Sequence, residues 1–522
     1  MKFNRVMRSA VGLAAIPLVA SALAGCGGNN ANSDSSASEA ASSSAASSSG
    51  AASSASSGSP AASGQKVTLK ILVPNNIAEF PSGKDVNHNE IADGIRERTG
   101  FDVQWELMPK DAEALHQKLN VLMASGDTPD LIIMGNSEKA QFGNFAQQGL
   151  LTPLDALLDE DGPNIKSLLT PEQWKSAMWD GQIYAIRTFS YSNASYGLTA
   201  RKDVLAELGL GLPKTQDEFY NALKTIKEKK PDMAPYTANL SEGLTGLEAI
   251  ASMFYPPVDY VQKDGKVVYT AAQPEAKDFL AFASKLFAEG LIDKESVVNK
   301  TDNVKEKLSN GKAALATLGW WEGPAIVTAS KEKNANSDLA YIDPPTGSNG
   351  SFGMGASSTI SKYFIIPKAS KHAKEVVQFL NKASDPAVID FISFGIEGKH
   401  FKKENGKNVA LPEMSNIAYK VYYNMFDTVD LGLQRMENAG LSPYFTPVSK
   451  VAKYVNVVDL VAPIPLVDQK STELKDLRDQ YFLKIITGAL PLTAYDQFLE
   501  KWKQAGGEDV EKALNDAYNN VK

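Results

Sequence analysis

The sequence predicts an α/β fold that is divided into two lobes. Near the start of the globular part, strand and helix patterns alternate with short connections, which is typical of a parallel sheet. The same alternation returns between about residues 270 and 320. The globular part, from Lys66 to Lys522, is also long for a single hydrophobic core. Two α/β bodies on one chain imply a cleft between them, and such clefts are common ligand sites.

In the first body, hydrophobic periodicity and flanking residues predict five elements. Alternating or continuous apolar runs that end at Pro or Gly indicate strands, and apolar residues at helical spacing indicate helices. A glycine is expected to end the first helix at Gly100. The predicted elements are a strand at Val67–Val73, a helix at Glu90–Thr99, a strand at Asp102–Leu107, a helix at Asp111–Ala124 and a strand at Asp130–Met134.

The second body shows the same patterns in the middle of the chain. Pro274 opens a predicted helix that runs to Glu289, where the missing N–H of proline costs little. A second helix is expected at Val304–Asn310 and a buried strand at Ala313–Leu318.

The N-terminus carries an export signal. Three basic residues precede an apolar run from Ala10 to Leu23 that is shorter than the ~20 residues of a membrane-spanning helix. The run ends in Leu23-Ala-Gly-Cys26, which resembles the lipobox of bacterial lipoproteins. The resemblance implies that residues 1–25 are a signal peptide and that Cys26 becomes the acylated N-terminus. An ordinary secretory signal is the alternative, but Cys26 is the only cysteine, and a structural cysteine in an oxidising compartment would normally have a partner.

Residues 26–65 are predicted to form a disordered tether. This stretch consists almost entirely of Ser, Ala, Gly and Asn, and it cannot bury enough apolar surface to offset the entropy of ordering. We therefore expect a lipid-anchored protein on the extracytoplasmic face of the cell membrane, with its globular part held off the bilayer.

Composition excludes several classes of partner and site. The net charge of −8 disfavours nucleic acid, and beyond the signal no further membrane span is present. One cysteine and four histidines make a Cys/His metal centre implausible, and the loop Asp85–Glu90 lacks the glycine and distal glutamate of a calcium loop. No nucleophile elbow or phosphate-binding loop occurs. The sequence therefore predicts no cofactor, no metal and no catalytic residue.

Further along the chain, eight segments resemble the extracellular solute-binding proteins of ABC importers, in family order. They match in particular the carbohydrate-binding group and its oligosaccharide-binding lipoproteins. The segments are Leu119–Ile133, Ala146–Leu154, Asp180–Ile186, Arg201–Phe219, Gly311–Trp321, Ile366–His372, Gly395–Phe401 and Lys484–Gly488.

This resemblance implies a two-lobed periplasmic-binding-protein type II fold. Residues 66–190 and 358–412 would form the first lobe, and residues 195–355 and 418–522 the second. Hinges are expected near 190–196, 357–363 and 408–416. The family resemblance also implies a monomer that closes around a carbohydrate, does no chemistry on it, and delivers it to membrane permease subunits.

Candidate ligand residues follow from the chemistry of sugars, whose apolar faces stack on aromatic rings and whose hydroxyls bind amides, carboxylates and guanidinium groups. Trp320 and Trp321 occupy a turn whose tryptophan stacks on sugar in the family, with core packing as the alternative. Arg187 would clamp the ligand or, as the alternative, serve a structural ion pair. The other candidates follow strand ends or lie near the first crossing: Asn75, Asn76, Glu79, Asn136, Tyr191 and Glu322.

Other functions remain open at this point. A receptor for another solute such as a peptide, or a sensor feeding a membrane kinase, would look the same in sequence. A tethered surface glycosidase would instead place two carboxylates ~5–10 Å apart across the cleft.

Overall fold

The computed structural model describes residues 67–75, 78–189, 195–357 and 360–519, without the side chains of Glu172, Phe189 and Ile360. The predicted signal peptide, Cys26 and the tether lie outside these ranges. The strands are, in chain order, β1 Thr68–Val73, β2 Asp102–Leu107, β3 Leu131–Met134, β4 Met178–Trp179, β5 Gln182–Ile183, β6 Ile186–Phe189, β7 Tyr196–Arg201, β8 Ala234–Tyr236, β9 Tyr260–Lys263, β10 Lys266–Tyr269, β11 Ala313–Gly319, β12 Leu339–Ile342, β13 Met354–Ala356, β14 Ile360–Ile365, β15 Phe401–Glu404, β16 Lys407–Ala410 and β17 Ala452–Val455.

The α-helices alternate with these strands. They are α1 Glu90–Thr99, α2 Ala112–Ser125, α3 Lys139–Gln147, α4 Asp155–Asp161, α5 Pro163–Lys166, α6 Pro171–Trp174, α7 Lys202–Glu207, α8 Gln216–Lys229, α9 Glu248–Ala251, α10 Pro274–Ala288, α11 Thr301–Ser309, α12 Gly323–Lys333, α13 Ala373–Ala383, α14 Pro386–Phe394, α15 Val429–Asn438, α16 Ser442–Val451, α17 Pro465–Ile486, α18 Ala494–Gln504 and α19 Gly507–Asn519.

The predicted elements are confirmed, with small shifts at their ends. Helix α1 has the predicted limits, and Gly100 ends it in the left-handed conformation at φ 77°. The residue before this helix, Asn89, caps it by accepting hydrogen bonds from the backbone N–H groups of Ile91 and Ala92. Strand β11 extends the predicted run by one residue to Gly319.

The first sheet has the strand order β2-β1-β3-β14-β6. Strand β1 pairs in parallel with β2 and β3, whereas β14 runs antiparallel to β3 and β6. The carboxyl ends of β1 and β3 therefore meet at one edge of the sheet. Asn75 and Asn136, which follow these two strands, lie along that edge.

The second sheet has the order β12-β7-β11-β8. Its central strand β11 is buried at every residue, which explains its continuous apolar sequence. Each sheet is covered by helices and has its own hydrophobic core, so the chain forms two lobes.

The boundary between the lobes differs from the prediction in the C-terminal half. Residues from Tyr419 to Phe426 were expected at the start of the second lobe, but most of them pack in the first core, as does the preceding Ile417. The reason is a set of tyrosines that reach back to the first lobe. Tyr423, for example, accepts a hydrogen bond from Asn89 Nδ2 at 2.7 Å and donates one to the carbonyl of Val86 at 2.6 Å.

Helix α15 continues this association with the first lobe. Its residues Gln434 and Asn438 bind the backbone of the β15–β16 hairpin, at Asn408 N and Ala410 N, both at 3.0 Å. The chain joins the second lobe only at α16, where Phe445 packs with Tyr341. The predicted third crossing at 408–416 is therefore placed too early.

The first predicted crossing, 190–196, lies mostly outside the described residues. Strand β13, just before the second crossing, pairs in parallel with β17, which follows the third. In the part of the chain that the structure describes, no helix has the length and apolar character needed to span a bilayer.

Candidate functional site

A cavity of about 250 Å³ opens at the carboxyl end of β11 and is lined by both Trp321 and Glu322. We call it the tryptophan cavity. Its other walls are Tyr196 at the start of β7 and the loop of residues 239–246 that follows β8. This loop was not predicted, although Asn239 follows a strand in the same way as Asn75 and Asn136.

A glycine determines how the two tryptophans are arranged. A Cβ at Gly319 would lie only 2.4 Å from the indole of Trp321, so only glycine lets this ring fold back over the end of β11. The Trp321 ring then stands edge-on to Tyr196 with centroids 5.5 Å apart, and 48% of the residue remains exposed.

Trp320 has a different environment from its neighbour. It packs edge-on against Phe445, with ring centroids 5.3 Å apart, in a small cluster with Tyr341 and Val448. The sequence left two alternatives for this pair, namely contact with the ligand or packing in a core. In the structure, Trp321 lines the cavity and Trp320 packs in the small cluster around Phe445.

A second cavity of about 220 Å³ adjoins the first, and both are lined by Thr245. We call it the Glu248 cavity, because the Glu248 side chain is one of its walls together with Tyr255, Asn456 and the ion pair Arg478–Asp259. The sequence analysis missed these residues. Glu248 opens the short helix α9, and no strand end or motif marks it.

A third cavity, of about 260 Å³, lies between the lobes. Asn136, Ser137 and Lys139 contribute the wall from the first lobe, and residues around Asp459 contribute the wall from the second. This interlobe cavity shares Asp259 and Asn456 with the Glu248 cavity. The three cavities thus share wall residues, and we refer to them together as the groove.

Asn136 is the first-lobe candidate that reaches the groove. Its Oδ1 accepts a hydrogen bond from Arg187 Nη2 at 2.8 Å, and its Nδ2 lies 3.4 Å from Asp459 Oδ1 in the second lobe. Asn75 instead lies under Tyr422, whose hydroxyl is 3.4 Å from its Oδ1, and Glu79 is exposed. Neither residue lines the groove. Asn76 and Tyr191 lie outside the described residues.

The role of Arg187 as a ligand clamp is contradicted. Its side chain is fully buried, and the guanidinium lies 3.7 Å from the ring centroid of Tyr363. Its donors bind the carbonyl of Lys362 at 2.9 Å, Ser176 Oγ at 3.2 Å and Asn136. The contacts of Arg187 described here thus support the structural alternative: they are hydrogen bonds and a stacked ring within the protein.

Carboxylates dominate the second-lobe wall of the groove. Glu322 is paired with Lys305 at 2.8 Å, and Glu242 accepts a hydrogen bond from Asn239 at 2.6 Å. Burial raises the pKa of the Glu248 carboxyl to about 8, against the attraction of Arg478 and with a contribution from Asp259. Burial and these carboxylates also raise the pKa of Tyr196, so its phenol remains a neutral hydrogen-bond donor.

Comparison with known proteins places this geometry in a family. Residues 90–389 match the family described as bacterial extracellular solute-binding protein. The chain belongs to this family. Lipoprotein LipO of Bacillus subtilis is 27% identical over 493 residues, which are 88% of this chain and 94% of LipO.

Solved structures of solute-binding proteins share the fold. A human-milk-oligosaccharide (HMO) binding protein from Bifidobacterium longum infantis superposes with a TM-score of 0.70 at 17% identity, covering 87% of this chain and 99% of its own. FusA of Streptococcus pneumoniae, solved with kestose, gives a TM-score of 0.64 at 19% identity over 87% and 99% of the two chains. The predicted two-lobed fold is confirmed.

Proposed function

We propose that the protein is a lipid-anchored, extracytoplasmic receptor that captures an oligosaccharide in the groove and delivers it to the permease subunits of an ABC importer. The proposal rests on one observation above all. The ring of Trp321 is about half exposed and lines a groove whose walls also carry carboxylates, amides and hydroxyls, among them Glu322, Asn239 and Thr245. An apolar ring face beside many hydrogen-bonding groups is the combination that a sugar requires.

The relatives support this ligand class. FusA was solved in complex with kestose, and another structural neighbour is described as an HMO-binding protein. Anchoring through Cys26 is the part of the proposal that rests on the lipobox alone, and the similarity to Lipoprotein LipO agrees with it.

Calorimetric titration of the full-length protein in detergent tests the proposal, with fructooligosaccharides, raffinose-type sugars, diacetylchitobiose and peptides as ligands. We expect binding of one sugar class. Trp321→Ala should weaken it by about 30-fold or more, as truncation of a central aromatic residue costs about 2 kcal/mol. Leu212→Ala is the matched control, because Leu212 is similarly exposed at 44% but lies outside the groove.

The alternative functions give different results in the same experiment. Binding of peptides but not of sugars would contradict the carbohydrate assignment and keep the receptor role. Chromatography of the sugar after incubation should recover it unchanged, whereas the appearance of shorter sugars would identify a tethered glycosidase. For the anchor, metabolic labelling with a palmitate analogue should label the native protein but not Cys26→Ser.

A further inference from the structure

The Glu248 carboxyl group lines the wall of an open cavity. Among the described residues, nothing donates a hydrogen bond to it or forms an ion pair with it. A partly buried carboxylate normally carries several hydrogen bonds, because burying one without them is costly. The missing partners are therefore expected to come from whatever occupies the cavity.

Two neighbouring hydroxyls share this property. Tyr255 and Thr245 line the same cavity, and within the described ranges neither side-chain hydroxyl has a hydrogen-bond partner. Burial raises the pKa of Tyr255 far above neutrality, so its hydroxyl keeps its proton and can donate. A phenol, an alcohol and a carboxyl group thus face one space that can be reached from the rest of the groove.

Arg478 is the one cationic side chain among the described residues that line this cavity, and it is already paired with acidic groups of the protein. Arg478 pairs with Asp259, and its Nε and Nη2 each lie 2.8 Å from Asp479 Oδ1. The two acidic partners therefore carry more negative charge than the single guanidinium neutralises. An anionic ligand would find no available positive charge here and would face the carboxylate of Asp259.

The cavity has room for one sugar ring. Its volume is about 220 Å³. Gly355 on strand β13 packs beside two of the lining residues, since a Cβ there would lie 3.2 Å from Val258 and 4.0 Å from Glu248 Oε2.

We propose that the Glu248 cavity is the subsite for one uncharged sugar unit, whose hydroxyls bind Glu248, and that it excludes uronic acids. This inference rests on the proposed function and specifies its ligand class. Glu248 would accept hydrogen bonds from the sugar, and Tyr255 and Thr245 would complete the set. The burial and the Asp259 charge that act against ionisation of Glu248 would act equally against a ligand carboxylate.

The test compares charged and uncharged sugars on the full-length protein by calorimetry. Kestose, nystose, raffinose, stachyose and N,N′-diacetylchitobiose are the neutral probes, trigalacturonate is the anionic one, and unacetylated chitobiose is the cationic one. We expect a neutral probe to bind and trigalacturonate to bind at least 10-fold more weakly.

Substitutions at Glu248 test whether sugar binding, with its preference for uncharged sugars, depends on the Glu248 cavity. Glu248→Ala should weaken binding of the neutral sugar by at least 10-fold, and Glu248→Gln, which keeps an acceptor of the same shape, by less. Glu332→Gln, an exposed position on α12, is the matched control and should leave both affinities unchanged. Melting temperatures of all variants check that they fold.

Three results would overturn the inference while leaving the proposed function intact. These are sugar binding that neither Glu248 variant weakens, tighter binding of trigalacturonate than of any neutral probe, and tighter binding of unacetylated than of diacetylated chitobiose. If no sugar binds the wild-type protein, the proposed function and this inference both fail.

Discussion

Replacement of Lys139 by methionine should destabilise the junction between the lobes. Lys139 is the first residue of α3 in the first lobe and is only 8% exposed. Its Nζ donates to the carbonyls of Val458 and Val461, both in the second lobe, the latter at 2.7 Å. The carboxylates of Asp459 and Asp468 provide the negative charge around it.

The pKa shifts of this cluster show that burial outweighs attraction. Burial lowers the pKa of Lys139 from 10.5 to about 8, even though Asp459 and Asp468 act in the opposite direction and only Arg187 adds to it. Burial likewise raises the pKa of Asp459 and of Asp468 despite the nearby lysine. The shift of Lys139 corresponds to about 3 kcal/mol of charging penalty.

These values give two expected magnitudes. Lys139→Met removes the lysine charge that attracts both acids, and such a loss costs about 3–5 kcal/mol. For about 450 residues this lowers the melting temperature by roughly 3–5 °C. Neutralising the acids as well, in Lys139→Met with Asp459→Asn and Asp468→Asn, should restore at least half of the loss, because replacing a whole buried charge cluster is close to neutral.

Scanning calorimetry at pH 7 measures both effects. Lys312→Met, at an exposed lysine of the second lobe, is the control and should leave the melting temperature unchanged. If the triple variant melts no higher than Lys139→Met, the electrostatic reasoning is refuted, and the contacts of Lys139 with the two carbonyls must carry the stability instead.

Three further predictions follow from the same structure. The pKa of Lys139 is about 8 in the folded protein and 10.5 in the unfolded chain. The free-energy penalty for keeping this lysine charged in the folded protein is therefore complete below pH 8 and disappears by pH 10.5. The melting temperature of the wild type should therefore rise relative to that of Lys139→Met across this window. Arg187→Met should lower the melting temperature by several degrees while changing the sugar affinity of the folded protein less than 3-fold, which calorimetry and titration measure separately. Gly246→Ala should weaken sugar binding by about 10-fold, because its Cβ would lie 2.7 Å from the carbonyl oxygen of Asn239 in the wall of the tryptophan cavity, whereas Gly211→Ala, with nothing within 4 Å, should have no effect in titrations.

The elements that sequence predicted well are those with local causes. Helix α1 has an asparagine cap and a C-terminal glycine, and both act through backbone groups within a few residues. The lobe boundary near Ile417 depends instead on tyrosines that bind residues more than 300 positions earlier in the chain. The hydrophobic periodicity of this segment alone does not indicate these distant partners.

The residues of the candidate site show the same difference between local causes and partners that are distant in sequence. Asn136 was found because a parallel strand fixes where its carboxyl end lies, whatever the rest of the chain does. Glu248 was missed because its importance comes from what surrounds it. Asn456 and Arg478 are distant in sequence, and only the fold shows that no side chain among the described residues donates a hydrogen bond to this carboxyl group. Arg187 misled for the converse reason, since the groups that bury it come from β14 and from the turn near Ser176.

Trp320 and Trp321 show why the sequence could not predict which of two neighbouring tryptophans would line the cavity. They lie in a turn of 3₁₀ helix, where successive side chains point about 120° apart, so one of two neighbours must face inward and the other outward. The direction is set by Gly319, which admits the Trp321 indole over its own Cα, and by Phe445 on α16, which offers Trp320 an apolar contact. Phe445 is more than 120 residues away, on the helix with which the C-terminal segment joins the second lobe. Which of the two tryptophans faces the groove therefore depends on a contact that the local sequence does not contain.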